Sequence, residues 1–324
     1  MAFERKGSCS ELMLVSGGVP ALIGSAGDRA KTRFIEFFAA SIRNRGTRAA
    51  YARAVGQFLS WCHNHGLLSL ERITPLVVAA YIEEMTLLRS AATVKLHLAA
   101  IRRLFDFLVT GHIMATNPAL SVRGPRHVVK KGKTPVLLAE EARMLLDSID
   151  IRTVIGLRDR AIIGVMVYSF ARVSATTRMN VEDYFPQGRR MWFRLHEKGG
   201  KLHDVPAHHN AESYLDAYLA VAEISDEKKG PLFRTVSRSR RLTLSRMHRI
   251  DVLRMIKRRS KDAGLPSTVC CHTFRATGIT AYLRNGGLLE HAQRIAAHDS
   301  VRTTKLYDRT SDDISLDEIE KIHI

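Results

Sequence analysis

One stretch, residues 123–135, divides this chain into two parts that have to fold separately. It contains two prolines, two glycines and five lysines or arginines, and it offers few apolar side chains for burial. This composition is typical of an extended linker, because proline and glycine interrupt helices and strands and like charges repel one another. The segments on either side are each long enough to bury a hydrophobic core. The sequence therefore predicts two domains joined by a basic linker.

The segment before the linker has the apolar periodicity of amphipathic helices, with apolar side chains recurring every three or four residues. Thr47, Thr74 and Ser90 are good N-cap residues, and a proline follows Thr74 in the first helical position. We therefore predict a helical bundle over residues 31–122. A leader rich in glycine and serine, residues 1–30, precedes it and is predicted to be flexible.

The segment after the linker mixes helices with short strands. Residues 157–170 are apolar on nearly every face, which predicts a buried central helix. Residues 191–195 and 202–206 read as two strands, and the Glu-Lys-Gly-Gly-Lys turn at 197–201 between them is typical of a β-hairpin. Residues 136–310 are thus predicted to form a mixed α+β domain. The predicted fold class is mainly α with a small antiparallel β-sheet.

Positive charge is spread over both predicted domains. The formal net charge is +18 and the pI is about 10.1. Residues 1–135 and 136–310 each carry a net charge of +11, and residues 311–324 carry a net charge of −4. Because the excess does not sit in a detachable tail, the predicted partner is a polyanion that contacts both domains, and nucleic acid is the natural choice.

Cysteine content and hydropathy set further limits. The four cysteines are too few for a disulfide framework, and no apolar run reaches the length of a membrane span. Cys270 and Cys271 precede His272, but adjacent cysteines lack the C-x-x-C spacing that zinc sites use. We therefore expect no metal, no cofactor, no signal peptide and no membrane partner. The expected location is the cytoplasm, in association with the nucleoid.

Residues 268–309 hold most of the polar side chains that suggest chemistry. His272 and Arg275 are three residues apart, so on a helix they share one face. Two cationic donors on one face suit a phosphate, which accepts several hydrogen bonds at once. His298 and then Tyr307, nine residues later, would add a donor and a nucleophile.

Three further positions in the second segment attract attention. Arg172 follows the predicted buried helix directly, where an unpaired guanidinium would cost several kcal/mol. It either meets a structural carboxylate or binds a ligand anion. Lys198 and Lys201 lie in the hairpin turn, where a lysine is usually just exposed. The tip of a mobile hairpin is also a place from which a lysine could enter a groove.

The order and spacing of these residues, with a basic helical domain in front, resemble the tyrosine recombinase family of the phage-integrase type. The resemblance covers about residues 31–310 and implies a two-lobed DNA clamp with a catalytic C-terminal domain. Two positions depart from the family pattern: Ala297 stands where glycine is common, and Ala175 stands where an acid commonly supports the active site. The six matching residues are Arg172, Lys198, His272, Arg275, His298 and Tyr307.

The resemblance also implies a mechanism. Tyr307 would attack a DNA phosphodiester, form a 3′-phosphotyrosyl link and release a 5′-hydroxyl, with no need for metal or ATP. Arg172 and Arg275 would bind the non-bridging oxygens, and His298 would donate a further hydrogen bond to them. Lys198 would protonate the leaving oxygen as a general acid.

Several points stay open at the level of sequence. His272 would either take the Tyr307 proton or orient the phosphate. The acidic, amphipathic tail, residues 311–324, could fold onto its own domain, or it could pass to a neighbouring subunit, as the resemblance suggests. The resemblance implies a homo-oligomer, a dimer on one double-stranded DNA site and a tetramer in synapsis. Candidate phosphate contacts are Thr47, Arg48, Arg53, Lys95, Arg102 and Lys201.

Three functions are compatible with this pattern. The first is a site-specific DNA recombinase, and within this class we favour the integrase of a mobile element. The second is a basic DNA-binding protein with an architectural or regulatory role, a reading that only Ala175 supports. The third is a topoisomerase-like enzyme that nicks and closes DNA with the same residues but exchanges no strands.

Overall fold

A computed structural model of the protein describes residues 18–127 and 132–308. The chain divides into two compact units, between Val128 and Val129. The architecture is mainly α-helical with small antiparallel sheets, as predicted. Within the described ranges, no helix is long and apolar enough to cross a membrane. The first part of the predicted leader and the predicted acidic tail, residues 311–324, lie outside the described residues.

The first unit is helical throughout its described part. Its core is made of the inward faces of these helices, with Phe37, Phe58 and Phe105 fully buried and in ring contact with neighbouring aromatic side chains. The helices are α1 (Ala21–Ser25), α2 (Asp28–Ala39), α3 (Arg45–Asn64), α4 (Pro75–Leu88) and α5 (Ala91–Thr110), with a short 3-10 turn at Leu70–Arg72.

Two details of the first unit differ from the sequence prediction. Leu22 and Ile23 of α1 are buried, so the end of the predicted flexible leader belongs to the hydrophobic core. The cap of α3 is Asn44 rather than Thr47, because the Asn44 side chain accepts a hydrogen bond from the Thr47 N–H at 3.0 Å. Thr47 therefore lies inside the first turn. Ser90 caps α5 as predicted.

The second unit contains all the strands of the described chain. The main sheet is antiparallel in the order β1-β2-β3, and β4 and β5 form a separate antiparallel pair. Helices surround these strands. The elements are α6 (Ala139–Asp147), α7 (Val154–Tyr168), α8 (Val173–Arg178), β1 (Tyr184–Gln187), β2 (Arg190–His196), β3 (Leu202–Pro206), α9 (His209–Ala222), β4 (Arg234–Val236), β5 (Leu242–Arg246), α10 (Arg249–Asp262), α11 (Cys271–Arg284), α12 (Leu289–Ile295) and α13 (Val301–Lys305).

The predicted hairpin is the β2–β3 pair. Its turn is a 3-10 segment, Lys198–Gly200, closed by the Glu197 N–H, which donates to the Lys201 carbonyl at 2.8 Å. Gly199 and Gly200 have φ values of 82° and 81°, in the left-handed region that favours glycine. The strands β1, β4 and β5 were not predicted. The region of β4 and β5 is dense in arginine, which hides the apolar alternation of a strand.

The central helix of the second unit is α7, and it is buried as predicted. Its buried surface is not entirely apolar. The Asp159 carboxylate is buried and pairs with Arg158 and Arg259 at 2.7 Å and 2.8 Å. The helix α11 packs closely against it. A Cβ at Gly278 would lie 2.0 Å from the Val167 carbonyl oxygen, so this approach requires glycine.

Candidate active site

The arginine of the His-x-x-Arg pair is almost completely buried. Arg275 lies on α11 with a relative exposure of 1%. Its guanidinium donates to the Phe170 carbonyl and, at 2.5 Å, to the Ala296 carbonyl, while its buried Nε–H has no hydrogen-bond partner among the residues that the structure describes. Burial, and then the charge of Arg172, lower the pKa of Arg275 to about 10. A buried guanidinium with a free N–H is suited to receive an anion.

Both carbonyls that accept from Arg275 belong to tight turns with left-handed residues. Phe170 follows the end of α7 with a φ of 54°, and Ala297 follows α12 with a φ of 46°. Residues other than glycine rarely adopt this backbone conformation, which costs them about 1 kcal/mol or more. The observed φ gives a physical reason for the glycine that resembling sequences carry at the position of Ala297.

The predicted nucleophile lies directly against the first histidine. The Tyr307 hydroxyl is 2.7 Å from Nε2 of His272, and the Tyr307 ring is 8% exposed. Thr280 of α11 donates to the Tyr307 carbonyl at 3.0 Å, which anchors the backbone at this position. Burial raises the pKa of Tyr307, while Arg275 and Arg172 oppose that rise. Burial and the same two arginines lower the pKa of His272, so a neutral imidazole faces the phenol.

The second histidine stacks on the tyrosine. The rings of His298 and Tyr307 are nearly parallel, with centroids 5.7 Å apart. Nδ1 of His298 is 2.9 Å from the buried hydroxyl of Thr304, which leaves Nε2 as the ring nitrogen available to a ligand. Burial, followed by Arg275 and Arg172, lowers the pKa of His298 to about 3. The imidazole is therefore neutral at neutral pH.

Arg172 meets a carboxylate. Its Nη1 lies 2.5 Å from Oε2 of Glu197, the last residue before the β2–β3 turn. The Glu197 side chain is 5% exposed, whereas that of Arg172 is 36% exposed. The structural carboxylate is thus the alternative that the structure shows for Arg172. Because its side chain is partly exposed, the binding of a ligand anion stays a prediction.

The lysine turn is described in part. The backbone of Lys198 lies in the 3-10 turn, and its side chain lies outside the described residues. Lys201 is exposed, and its Nζ is 3.3 Å from Asp299, next to His298. The structure thus brings together five of the six predicted catalytic side chains, and it places the backbone of the sixth immediately after Glu197.

The candidate phosphate contacts of the first unit fall into two groups. Arg48 donates twice to the Ile42 carbonyl, at 2.8 Å and 3.1 Å. Arg102 donates to the carbonyls of Ala119, at 3.0 Å, and Val122. These guanidiniums fix the chain entering α3 and the chain leaving α5, a structural role that the sequence did not predict. Thr47 takes part in the helix cap, and of these five candidates only Arg53 and Lys95 are exposed.

The two adjacent cysteines have local structural roles. Cys270 is the N-cap of α11, and Cys271, half-buried at its first position, packs against the main core of the second unit. Burial raises the pKa of the Cys271 thiol to about 11. Among the residues that the structure describes, no group of three histidine, cysteine or acidic side chains could hold a metal ion.

Sequence reasoning missed Glu197 and Thr304. A signal for the first was available, because Arg172 needs a counter-charge and Ala175 supplies none. Thr304 carried no such signal, since a threonine three residues before a tyrosine on a short helix is an ordinary surface residue. Only the packing of α13 buries it against His298.

Two family profiles match the chain. The Phage integrase family matches residues 135–313, and the phage integrase N-terminal SAM-like domain matches residues 33–112. Among curated proteins, the chain is 29% identical over 224 residues to tyrosine recombinase XerD of Oceanobacillus iheyensis, covering 68% of this chain and 71% of the relative. It is 27% identical over 271 residues to XerD of Chlorobaculum tepidum, covering 81% and 84%.

Solved structures share the fold. A XerH site-specific recombinase bound to a palindromic difH substrate in a post-cleavage complex superposes with a TM-score of 0.69 at 18% identity, covering 96% of this chain and 92% of that one. A lambda integrase dimer bound to a COC′ core site gives a TM-score of 0.66 at 17% identity, covering 96% and 84%. Since the first family profile alone spans more than half of the residues, this chain belongs to the phage integrase family of tyrosine recombinases, enzymes that cleave and rejoin DNA.

Proposed function

We propose that this protein is a site-specific recombinase that cuts and reseals double-stranded DNA through a covalent 3′-phosphotyrosyl intermediate on Tyr307. The observation that carries the proposal is the 2.7 Å contact between the Tyr307 hydroxyl and Nε2 of His272. Buried Arg275 lies beside it, with an Nε–H that has no partner in the described part of the chain. A phenol, a neutral base and an arginine with a free donor are the groups that an attack on a phosphodiester requires.

In the cleavage step, the Tyr307 oxygen forms a bond to phosphorus and the bond from phosphorus to the 5′-oxygen breaks. The phenolic proton passes to His272, whose lowered pKa keeps Nε2 able to accept it. Lys198 supplies a proton to the departing 5′-oxygen, a role that rests on its place in the sequence. Ligation is the reverse of these steps, and because the phosphotyrosyl bond conserves the phosphodiester energy, no nucleotide is consumed.

Arg172, Arg275 and His298 stabilise the negative charge that develops on the phosphate. Negative charge builds on the non-bridging oxygens as the phosphoryl group transfers, so fixed donors aimed at them lower the barrier. Arg275 and Arg172 bind these oxygens, and His298 donates through Nε2, because Thr304 occupies Nδ1. The arginines cannot be replaced by lysine without loss, since only a planar guanidinium offers two parallel donors.

DNA binding draws on the positive charge of the whole chain. Exposed Arg53 and Lys95 in the first unit and Lys201 in the second are the candidates for phosphate contacts. A recombinase has to hold two duplexes, and we propose a dimer on one site and a tetramer in synapsis. Related folds have been solved as a dimer on a core site and as a tetramer on a Holliday junction, both of lambda integrase.

The test of covalent chemistry is a suicide substrate, a DNA duplex nicked just 3′ of the scissile phosphate. We expect a covalent protein–DNA band with the wild-type chain and none with Tyr307→Phe. Tyr282→Phe is the matched control, because Tyr282 lies on α11 with its ring against Phe170 and outside the proposed chemistry. Absence of the band in the wild-type protein would overturn the proposal in favour of a DNA-binding factor.

Two further observations define the reaction. Joint products from two labelled duplexes distinguish a recombinase from an enzyme that only nicks and closes one duplex. Deletion of residues 311–324 tests the tail, because loss of synapsis with retained single-site binding supports its exchange between subunits. An attachment repeat beside the gene would support our further proposal that the substrate belongs to a mobile element.

A further inference from the structure

The carboxylate that faces Arg172 comes from an unexpected place. Ala175 occupies the position three residues after Arg172, where resembling sequences carry an acid, and it is buried and has no charge to offer. Glu197 comes from a different part of the chain, directly after β2, and reaches Arg172 at 2.5 Å. Among the ion pairs of the described residues, this is the one that Arg172 makes.

Glu197 is held rigidly. The strand β2 that leads to it buries Phe193 and Leu195 in the main core of the second unit. Its N–H donates to the Lys201 carbonyl and closes the turn. Because the carboxylate is 5% exposed, it cannot exchange its partner for water without a large cost in desolvation. The strand therefore fixes the carboxylate, and the carboxylate fixes the guanidinium of Arg172.

The same carboxylate acts on the second arginine and borders the lysine. Glu197 opposes the lowering of the Arg275 pKa that burial and Arg172 cause, so its charge is felt at both guanidiniums. It also directly precedes Lys198 in the chain, about 3.8 Å away between Cα atoms. An acid at this place can hold Arg172 through its side chain and the lysine turn through its backbone, so that the two stay at a fixed distance.

We propose that Glu197 is a positioning residue of the active site, which orients Arg172 toward the scissile phosphate and ties the Lys198 turn to it. This inference rests on the proposed function of the same site. In this chain Glu197 replaces the missing acid at position 175, and it does so from the turn that carries the proposed general acid. Glu197 itself does not touch the phosphate, because a carboxylate and a phosphate repel each other.

The charge of Glu197 makes its loss distinctive. Removal of a negative charge next to a phosphate site strengthens electrostatic attraction, so DNA binding is unchanged or tighter. The cleavage rate falls, since Arg172 is no longer held in the productive orientation. A residue that binds the phosphate directly would instead lose binding and cleavage together.

The experiment compares Glu197→Gln with wild-type protein, as the full chain, in single-turnover cleavage of the suicide substrate and in equilibrium binding of the intact site. Glutamine keeps the shape and one acceptor but removes the charge. We expect cleavage slower by about 10- to 100-fold, as for other residues that orient a reacting group. We expect a Kd no weaker than that of wild type.

A matched control and a double variant separate positioning from general destabilisation. Glu227 pairs with Arg234 at 2.5 Å in the same unit, and among the described side chains it contacts none of the proposed catalytic residues. In this pair the arginine is buried instead of the acid, so Glu227→Gln removes a pair of the same length and leaves cleavage unchanged. Arg172→Lys combined with Glu197→Gln cleaves no more slowly than Arg172→Lys alone, because the acid acts through the arginine. A purely structural contribution would make the two losses multiply.

The outcomes are distinct. If wild-type protein forms the covalent band on Tyr307 and Glu197→Gln forms it at the same rate, the inference is overturned and the proposed function stands. Multiplying losses in the double variant, or equal slowing in Glu227→Gln, also overturn it. If wild-type protein forms no covalent band, both the function and the inference fall.

Discussion

Arg275 and Arg172 carry the same guanidinium group into one site, yet their surroundings are opposites. Arg275 is buried and held by two backbone carbonyls, neither of which bears a full charge. Arg172 is partly exposed and held by the carboxylate of Glu197. Peptide carbonyls orient a guanidinium and leave its positive charge in place, whereas a carboxylate orients it and also compensates the charge. The comparison shows that the orientation of a guanidinium and the compensation of its positive charge are controlled by different partners in this site.

The largest effect is expected at Arg275. Arg275→Lys leaves at least one of the two carbonyls without its donor and removes the planar fork from the phosphate. Loss of one fixed donor to a transition-state oxyanion slows chemistry by about 100- to 1000-fold. The measurement is single-turnover cleavage of the nicked duplex, with binding measured in parallel. A rate within about a factor of three of wild type would contradict the proposed role.

The close packing of α7 against α11, which positions the Phe170 carbonyl, can be disrupted without changing any charged residue. In Gly278→Ala, the new Cβ would lie 2.0 Å from the Val167 carbonyl oxygen and against the Phe170 ring, so α7 and α11 must separate. Forced overpacking of this kind costs about 1–3 kcal/mol. We expect a lower free energy of unfolding in urea and slower cleavage, because the Phe170 carbonyl moves away from Arg275. Gly56→Ala, within helix α3 at a position where an added Cβ meets no atom within 4 Å, controls for loss of a glycine alone.

The burial and the positive charge around Arg275 and Arg172 should affect how the free energy of unfolding depends on pH. The pKa of His298 is lowered to about 3, against 6.5 for the free side chain, chiefly by burial and then by Arg275 and Arg172. Between these two values the unfolded chain binds a proton that the folded chain does not. Stability is therefore complete above about pH 6.5 and is lost as the pH falls towards 3.

His298→Gln isolates this contribution, because His97, His208 and His272 also have lowered pKa values and act in the same direction. Over pH 6.5 to 5, we expect wild-type protein to lose about 1–2 kcal/mol more than the variant, since one pKa unit corresponds to about 1.4 kcal/mol. The measurement is urea unfolding at each pH. Parallel curves for the two proteins would show that His298 is not held neutral by its surroundings.

The smallest effect is expected at the turn that supplies the other carbonyl. Ala297 has a φ of 46°, which glycine adopts without strain. Ala297→Gly should therefore stabilise the protein by about 0.5–1 kcal/mol. This value is the strain of the left-handed conformation that is relieved, minus the conformational entropy that glycine adds to the unfolded chain. Calorimetry measures the shift of the Tm. A decrease would mean that the Ala297 methyl group makes contacts that outweigh the strain.

Much of the fold could be predicted because it depends on local rules. Apolar periodicity and the caps at Thr74 and Ser90 defined the helices of the first unit, and the Gly-Gly turn defined the β2–β3 hairpin. The errors occurred where tertiary contacts override local preference. Leu22 and Ile23 look like part of a polar leader until other helices cover them. Likewise, nothing in the sequence indicates the distant backbone carbonyls to which Arg102 donates.

The sequence by itself determined which chemical groups this protein has and in what order, because residue identity and spacing sufficed to recognise the arginines, the histidines and Tyr307 as one set. Tertiary structure alone decided how each group is held. It assigned Glu197 to Arg172, Thr304 to His298 and His272 to Tyr307, pairs between residues up to 35 positions apart. The physical reason is that a hydrogen bond depends on distance and burial in space, and neither can be read from spacing along the chain.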